Sequence, residues 1–290
     1  MIRHYLLLFF LPLAFLLLAP SAARAAESYD NCTGYITSLP TSISSQGIWC
    51  LNSNLSTAIT GGAAITINTN NVTLDCNDFT IDGLAAGAGT LSIGVSAQDQ
   101  TNVTIRHCNI SGFFQGAYLG ASSPSSGGHL VEGNRFYGNT YEAMDVQGDG
   151  SLVRGNLVLD TGGSTVTGNA IGIFAPYNAD VIDNTVAGVV ATSGRGGVAY
   201  GIQSAFNTAN NVNGNRVRGV LSDGGAPSFA IDNQSSARMT LRGNDLLGSA
   251  ATASSGIRCV DGKVSARDNE INGFATAITD CSDSGGNAVH

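Results

Sequence analysis

The sequence has 290 residues, of which 43% are hydrophobic and only 12% charged, and its formal net charge is −8 at pH 7. A chain this acidic is repelled by nucleic acid and by anionic lipid, so we expect neither as a partner. Glycine is abundant (38 residues), and valine, isoleucine, threonine and asparagine are frequent. This composition is typical of many short strands joined by tight turns.

Residues 1–25 are predicted to form a secretory signal peptide. A basic start at Arg3 precedes an apolar run from Leu6 to Leu18, and Ala23-Arg24-Ala25 supplies an Ala-x-Ala cleavage site. The apolar run is too short to span a membrane. We therefore expect a secreted or periplasmic protein, cleaved near Ala25, with no membrane partner after cleavage.

All six cysteines follow the predicted signal peptide. In an exported chain an even number of cysteines favours disulfides over metal ligands, and no Cys-x-x-Cys motif occurs. Locality predicts the pairs Cys32–Cys50 and Cys259–Cys281. Cys76 and Cys108 then either pair with each other or stay free. We expect no metal and no cofactor.

A short phrase recurs along the chain and predicts stacked structural repeats. Each repeat opens with a small residue, here called the anchor, that is followed by an aliphatic or small residue. About thirteen positions later comes an asparagine, and an apolar residue lies two positions after it. From residue 143 to residue 230 the anchors are 29 residues apart. The anchors are Ala64, Gly94, Gly116, Ala143, Gly172, Gly201, Ala230, Gly256 and Ala277.

Each repeat contains three short segments with alternating apolar residues and no helical segment. Such a unit predicts an all-β fold, a single-stranded parallel β-helix whose turns stack at a strand spacing of about 4.8 Å. We expect about eight to nine turns over residues 61–290. The usual crossover preference makes the coil right-handed.

The recurrent asparagine is interpreted as structural. Asparagine tolerates the left-handed backbone conformation of a sharp corner, and amides stacked in successive turns can bond one another as a ladder. Cys108 interrupts this column. The predicted ladder consists of Asn77, Asn134, Asn156, Asn184, Asn215, Asn244 and Asn269.

The segment Gly34–Gly83 carries a family resemblance. It contains Ser38-Leu39-Pro40, Gly47-Ile48-Trp49-Cys50-Leu51, Ala64-Ile65-Thr66-Ile67 and Asn71-Val72-Thr73-Leu74-Asp75-Cys76-Asn77. It resembles the opening of exported bacterial right-handed β-helix repeat proteins of the pectin-lyase-like superfamily. The resemblance implies that residues 26–60 form an N-terminal cap over the open edge of the first turn. Since that superfamily includes lyases, hydrolases, epimerases and adhesins, it leaves the function open.

The anchor strands are predicted to form one sheet with an outward face rich in aromatic residues. Rings interspersed with acids and amides suit a sugar chain, which stacks on rings and hydrogen-bonds polar side chains. The alternative is that the rings only stabilise the sheet. The candidate substrate-binding residues are Phe114, Tyr118, Tyr141, Asp145, Phe174, Gln203 and Asp232.

No catalytic pair emerges from the spacing, so the catalytic residues stay unknown. Glycoside hydrolysis needs two carboxyl groups roughly 5–9.5 Å apart, but Asp145 and Asp232 lie three turns, about 14 Å, apart. Strict alternation places Glu142 on the opposite side of its strand from Asp145. The motifs of polygalacturonases, pectate lyases and alginate epimerases in that superfamily are also absent.

Two functions remain open, and so does the question of whether the protein is an enzyme. The first is a non-catalytic envelope protein, expected to be monomeric, that contacts polysaccharide or has a structural role. The second is a carbohydrate-active enzyme (a polysaccharide lyase, glycoside hydrolase or epimerase) with an atypical site near Asp145. A second carboxylate within about 10 Å of Asp145 would favour the enzyme.

Overall fold

The structure is a computed structural model that describes residues 31–122, 126–205 and 210–290. Residues Cys32–His290 form one compact unit. The predicted signal peptide, residues 1–25, and the first residues of the predicted cap, 26–30, lie outside the described residues. Within the described part of the chain, no helix is long and apolar enough to cross a membrane.

The described residues form 31 short strands and a 3-10 helix at Leu84–Ala86. The first eleven strands are β1 (Gly34–Ile36), β2 (Thr41–Ile43), β3 (Gly47–Leu51), β4 (Leu55–Ser56), β5 (Ala63–Ile67), β6 (Val72–Asp75), β7 (Thr80–Asp82), β8 (Ile93–Ser96), β9 (Val103–Arg106), β10 (Asn109–Ser111) and β11 (Gln115–Leu119). The next ten are β12 (Leu130–Glu132), β13 (Arg135–Tyr137), β14 (Glu142–Val146), β15 (Leu152–Arg154), β16 (Leu157–Gly162), β17 (Ala170–Phe174), β18 (Asp180–Ile182), β19 (Thr185–Val190), β20 (Ala199–Ser204) and β21 (Asn211–Asn213). The last ten are β22 (Arg216–Leu221), β23 (Ser228–Asn233), β24 (Thr240–Arg242), β25 (Asp245–Leu247), β26 (Ser254–Cys259), β27 (Ser265–Arg267), β28 (Glu270–Asn272), β29 (Thr276–Thr279), β30 (Ser282–Asp283) and β31 (Ala288–Val289).

Each turn of the chain contributes one strand to each of three parallel sheets. The anchor sheet runs in the order β2-β5-β8-β11-β14-β17-β20-β23-β26-β29. The second sheet begins β1-β3-β6-β9 and ends at β30, and the third runs from β4 to β31. All nine predicted anchors fall on successive strands of the anchor sheet, from β5 to β29. The predicted all-β parallel β-helix is therefore confirmed. Strands β1–β4, within the segment expected to be the cap, already pair in the three sheets.

The core lies along the axis of the coil, and the aliphatic residues that follow the anchors stack within it. Ile173, Ile202 and Ile231 are in register on neighbouring strands and fully buried. The anchors face inward too. A Cβ atom at Gly172 would lie 2.5 Å from the carbonyl oxygen of Gly201 and 2.7 Å from the Cγ1 atom of Val186. The anchor must be small because the next turn passes so close to it.

The asparagine column forms a hydrogen-bonded ladder at the corner between the second and third sheets. Each amide nitrogen donates to the Oδ1 atom of the next asparagine at 2.9–3.1 Å. The same Oδ1 atom also accepts the backbone N–H of the preceding asparagine, as Asn215 does from Asn184 at 2.9 Å. These bonds satisfy the buried polar groups of the corner. The ladder consists of Asn134, Asn156, Asn184, Asn215, Asn244, Asn269 and Asn287.

Two details of the corner differ from the expectation. The residue before each ladder asparagine takes the left-handed conformation, as at Gly155 (φ 62°) and Asp183 (φ 56°), because the asparagine must turn its amide inward to reach its neighbours. Asn77 does adopt φ 47°. Its amide donates to the carbonyl of Leu51 at 3.0 Å. The ladder therefore differs from the prediction at both ends, since it begins at Asn134 rather than Asn77 and extends to Asn287.

Three disulfides join neighbouring turns. Cys32 pairs with Cys50 and Cys259 with Cys281, the pairs that locality suggests, and Cys76 pairs with Cys108. No cysteine in the described residues is free. The second bridge lies at the corner where Cys108 occupies the asparagine column.

The Asn184→Ala variant is expected to lower the free energy of unfolding by about 1–3 kcal/mol. The change removes the acceptor of both the backbone and amide N–H groups of Asn156 and leaves the carbonyl of Val153 without its donor. Urea denaturation followed by circular dichroism measures the difference. Asn272→Ala, at an exposed position of β28, is the control. Equal losses in the two variants would contradict a stabilising role of the ladder.

Candidate functional site

The outward face of the anchor sheet carries two columns of side chains, because most of its strands bury two successive residues. On β14 Ala143 and Met144 both belong to the core, so their flanking residues Glu142 and Asp145 both face outward. One column runs in register through Gln115, Glu142, Ile171, Tyr200, Phe229 and Ser255. The other runs through Thr66, Ser96, Tyr118, Asp145, Phe174, Gln203, Asp232, Arg258 and Thr279.

The expectation that Glu142 lies on the opposite side of its strand from Asp145 is wrong. Strict alternation fails at the anchor. At the equivalent position Gly116, a Cβ atom would lie 2.8 Å from Cδ1 of the core residue Phe136, which shows that the anchor points inward. The residue after it points inward as well, so the strand locally carries one extra inward residue. The sequence holds a signal for this, since a small residue and an aliphatic one are adjacent at most anchors.

Glu142 is a buried carboxyl group on this face, with 4% of the residue exposed. It accepts a hydrogen bond from Nε2 of Gln115 at 2.6 Å and another from the hydroxyl of Tyr141. Burial raises the pKa of Glu142 to about 7, and the two hydrogen bonds only partly oppose that effect. The Tyr141 ring stacks on Phe114 with the centroids 4.7 Å apart.

Asp145 is equally buried, with 5% of the residue exposed. Nε2 of Gln147 donates to both carboxylate oxygens at 2.9 and 3.1 Å, and Oε1 of Gln147 accepts the N–H of Ala121, which fixes the amide. Burial, and then the negative charge of Glu142, raise the pKa of Asp145 well above its usual value. Ala143 and Met144 lie between the two acids. Three strand steps put the two Cα atoms at most about 10 Å apart, close to the upper end of the range for catalytic carboxyl pairs.

Three turns away, Asp232 has a different environment. It is fully buried and lies 2.6 Å from Nε of Arg258. Its other oxygen accepts hydrogen bonds from Gln203 at 3.1 Å and Gln234 at 2.9 Å. The Arg258 guanidinium lies 3.8 Å above the ring of Phe229. A cation thus compensates Asp232, whereas the groups around Asp145 include a second acid.

Five of the seven predicted binding residues lie in one column of this face, and Phe114 and Tyr141 immediately precede β11 and β14. Phe114 stacks on Tyr141, and Tyr118, Asp145 and Phe174 are in register on successive strands. Burial, followed by the charge of Asp145, raises the pKa of Tyr118. Gln203 bonds to Asp232. The sequence-based prediction missed several neighbours of the acids, although the motif Asp-x-Gln occurs at both 145–147 and 232–234. The neighbours that the prediction missed are Gln115, Glu142, Gln147, Tyr200, Phe229 and Gln234.

A concavity of about 760 Å³ lies elsewhere, on the third sheet. Arg135, Tyr137, Leu157 and Asp160 are among its lining residues, which do not include either buried acid. The chemistry therefore points to the anchor-sheet face rather than to this hollow. Among the described residues, no group of three or more His, Cys, Asp or Glu side chains could hold a metal ion.

Comparisons with known proteins identify the fold. The family described as "right handed beta helix region" matches residues 63–246. The Dettilon tailspike protein (gp208) has a TM-score of 0.61 and 15% identity over 88% of this chain and 53% of its own. A mutant tailspike of E. coli bacteriophage HK620 in complex with a pentasaccharide has a TM-score of 0.47 and 13% identity over 84% of this chain and 60% of its own. The A-module of Azotobacter vinelandii mannuronan C-5 epimerase AlgE6 has a TM-score of 0.43 and 12% identity over 89% of this chain and 87% of its own.

These structural likenesses carry information on the fold alone, because the identities are low. The chain spans between half and two thirds of the length of the two tailspike chains. Comparison with curated proteins finds no match.

Glu142→Gln is expected to flatten the pH dependence of stability. Between pH 4.5, the ordinary pKa of glutamic acid, and pH 7, the folded protein retains a proton that the unfolded chain releases. Stability therefore falls as pH rises through this window. Across this window the free energy of unfolding of the unchanged protein should fall by on the order of 3 kcal/mol more than that of Glu142→Gln.

Urea unfolding at pH 4.5, 5.5, 6.5 and 7.5 (about one-unit steps across the window) measures this difference. The control is Glu270→Gln, at an exposed position of β28, which should retain the pH dependence of the unchanged protein. Parallel curves for Glu142→Gln and the unchanged protein would show that Glu142 is not protonated by burial.

Proposed function

Since the chain belongs to the right-handed β-helix family, we propose that it binds a polysaccharide across the outward face of the anchor sheet and hydrolyses it with Glu142 and Asp145. One observation carries the proposal. Two carboxyl groups with raised pKa values share that face, three residues apart, where strict alternation would have separated them. Perturbed acids of this kind are concentrated at functional sites.

The acid pair supports general acid catalysis at neutral pH. Hydrolysis of a glycosidic bond needs one carboxyl group that gives a proton and one ionised carboxylate that activates water or attacks the sugar. When one member of the pair ionises, its charge holds the proton on the other. The proton belongs to the pair rather than to one residue. Over the pH range in which the pair holds a single proton, it offers both a proton donor and an ionised carboxylate.

The surrounding rings support binding of a sugar chain. Phe114 and Tyr141 form one stack beside Glu142, and Tyr200 and Phe229 form a second stack with centroids 5.6 Å apart. Tyr200 and Phe229 lie on β20 and β23, and Phe114 and Tyr141 immediately precede β11 and β14. Successive strands of this sheet are about 4.8 Å apart. Rings in two places along the face suit a chain of several sugars, since the apolar face of a sugar packs against aromatic carbon.

Binding without cleavage is the second candidate. The acids are only 4% and 5% exposed, and their oxygens already accept hydrogen bonds from Gln115, Tyr141 and Gln147. In this case the buried acids would only hold the surrounding side chains in place, and the rings would bind a glycan that the protein does not cleave. In both cases we propose a secreted or periplasmic monomer with a signal peptide over residues 1–25, and three disulfides are compatible with an oxidising compartment.

A panel of neutral and acidic polysaccharides separates the two candidates. The purified protein is expected to release new reducing ends from at least one glycan, without the absorbance of unsaturated uronates that a lyase would produce. Glu142→Gln and Asp145→Asn should each lower the rate by 100-fold or more, of the order that general acid–base catalysis contributes. Glu270→Gln is the matched control and should retain the rate.

Affinity electrophoresis with the same glycans gives the binding result. Retardation without new reducing ends would establish the non-catalytic candidate and contradict hydrolysis. Neither retardation nor cleavage with any glycan would contradict both. Release of unsaturated sugars would show that the protein cleaves the glycan by elimination and not by hydrolysis.

A further inference from the structure

Arg258 lies on the same outward face as the acid pair, at the other end of its column. Its register partners lead back through Asp232, Gln203 and Phe174 to Asp145. Four strand steps at about 4.8 Å put Arg258 roughly 19 Å from the acid pair along the coil. Among the described residues of the two columns, Arg258 is the one basic side chain.

The guanidinium of Arg258 is held in place from two sides. Its Nε atom is 2.6 Å from Asp232, and its Cζ atom lies 3.8 Å from the ring centroid of Phe229, which in turn stacks on Tyr200. Asp232 is itself fixed by Gln203 and Gln234. A planar group that is already oriented loses little conformational entropy when it binds a ligand.

Among the described residues, the hydrogen bond of the Arg258 guanidinium is made by Nε and not by the two terminal nitrogens. Arginine has five N–H donors in a fork, and the pairing with Asp232 uses the Nε side. The side chain stays 30% exposed although its partner carboxylate is fully buried. The two terminal nitrogens match a planar or tetrahedral oxyanion, which would accept two parallel hydrogen bonds.

We propose that Arg258 is a subsite for an anionic substituent of the bound glycan, a carboxylate or a sulfate. The inference rests on the proposed function of the anchor-sheet face and names its substrate class. Phe229, which has Tyr200 on one side and the Arg258 guanidinium on the other, would hold the guanidinium in place beneath the sugar that carries the charge. The substrate is then a heteropolysaccharide with an acidic sugar at Arg258 and a neutral sugar about four turns away, at Glu142 and Asp145.

The charge distribution along the face favours a glycan that carries a negative charge on some of its sugars rather than on every sugar. An anionic sugar next to Glu142 and Asp145 would repel any carboxylate that the pair contains and would be disfavoured there. The chain as a whole has a net charge of −8, which repels a glycan charged on every unit. Arg258 offers one place on the face where a negative charge is favoured.

Nuclear magnetic resonance of ¹⁵N-labelled protein tests the subsite directly. The Nε–H signal of Arg258, assigned by its absence in Arg258→Lys, is followed during titration with sodium glucuronate, glucose 6-sulfate and glucose. The expected result is a saturable shift with either or both anionic sugars and none with glucose. The Nε–H signal of Arg242, which pairs with Asp268 on the second sheet, is the internal control and should not shift.

Lightly carboxymethylated dextran, lightly sulfated dextran and dextran itself extend the test to a chain. Arg258→Lys retains the charge beside buried Asp232 but lacks the planar fork. It should bind the better of the two charged dextrans about tenfold more weakly than the unchanged protein does. Its affinity for dextran should not change, and neither should any affinity of Arg242→Lys.

The outcomes separate this inference from the proposed function. A neutral glycan that is cleaved at Glu142 and Asp145, together with no Arg258 shift and no loss in Arg258→Lys, would overturn the anionic subsite alone. Equal shifts at Arg258 and Arg242 would also overturn it, because they would show general attraction to charge. An Arg258 shift with no cleavage of any glycan would support the subsite and leave the face as a binding surface.

Discussion

The close approach of successive turns at the anchor is the constraint on which the rest of the structure depends. Five of the nine anchors are glycine, and at Gly116 and Gly172 even a Cβ atom would lie 2.5 Å from a carbonyl oxygen of the next turn; the other four anchors are alanine. Since the anchor and its successor both enter the core, the two residues that flank them both point away from the core. This local break in alternation creates a face of two columns instead of one. Glu142 and Asp145 share that face for this reason alone.

Two similar acidic sites on this face differ in electrostatics. Asp145 and Asp232 occupy the same column, and each accepts hydrogen bonds from a glutamine two residues later. Asp232 faces Arg258, so its charge is compensated. Asp145 has Glu142 three positions earlier on the same strand, so burial and like charge act in the same direction and favour the protonated form. The repeat provides the geometry, and two neighbouring positions distinguish the sites: Glu142 and Phe174 flank Asp145, whereas Phe229 and Arg258 flank Asp232.

The interior corner shows how the fold keeps such a face regular. Parallel strands that turn sharply would leave backbone groups buried without partners. The ladder from Asn134 to Asn287 satisfies them with one repeated side chain, and the preceding glycine or aspartate takes the positive φ that the turn requires. Because the corner repeats with little variation, the strands of the anchor sheet stay in register over nine turns, and side chains in one column stay in line.

The sequence by itself determined the β-helix, the nine anchor strands, the outward column from Thr66 to Thr279 and most of the asparagine ladder. These features follow from periodic local patterns, in which each turn repeats the constraint of the last. The position of Glu142, the location of the left-handed residue before each asparagine and the pairing of Asp232 with Arg258 were decided only by the tertiary structure. Each depends on how closely two turns approach and on which side chains then meet across them. The adjacent small and aliphatic residues at most anchors mark the extra inward residue, but strict alternation does not include one and therefore placed Glu142 on the wrong side.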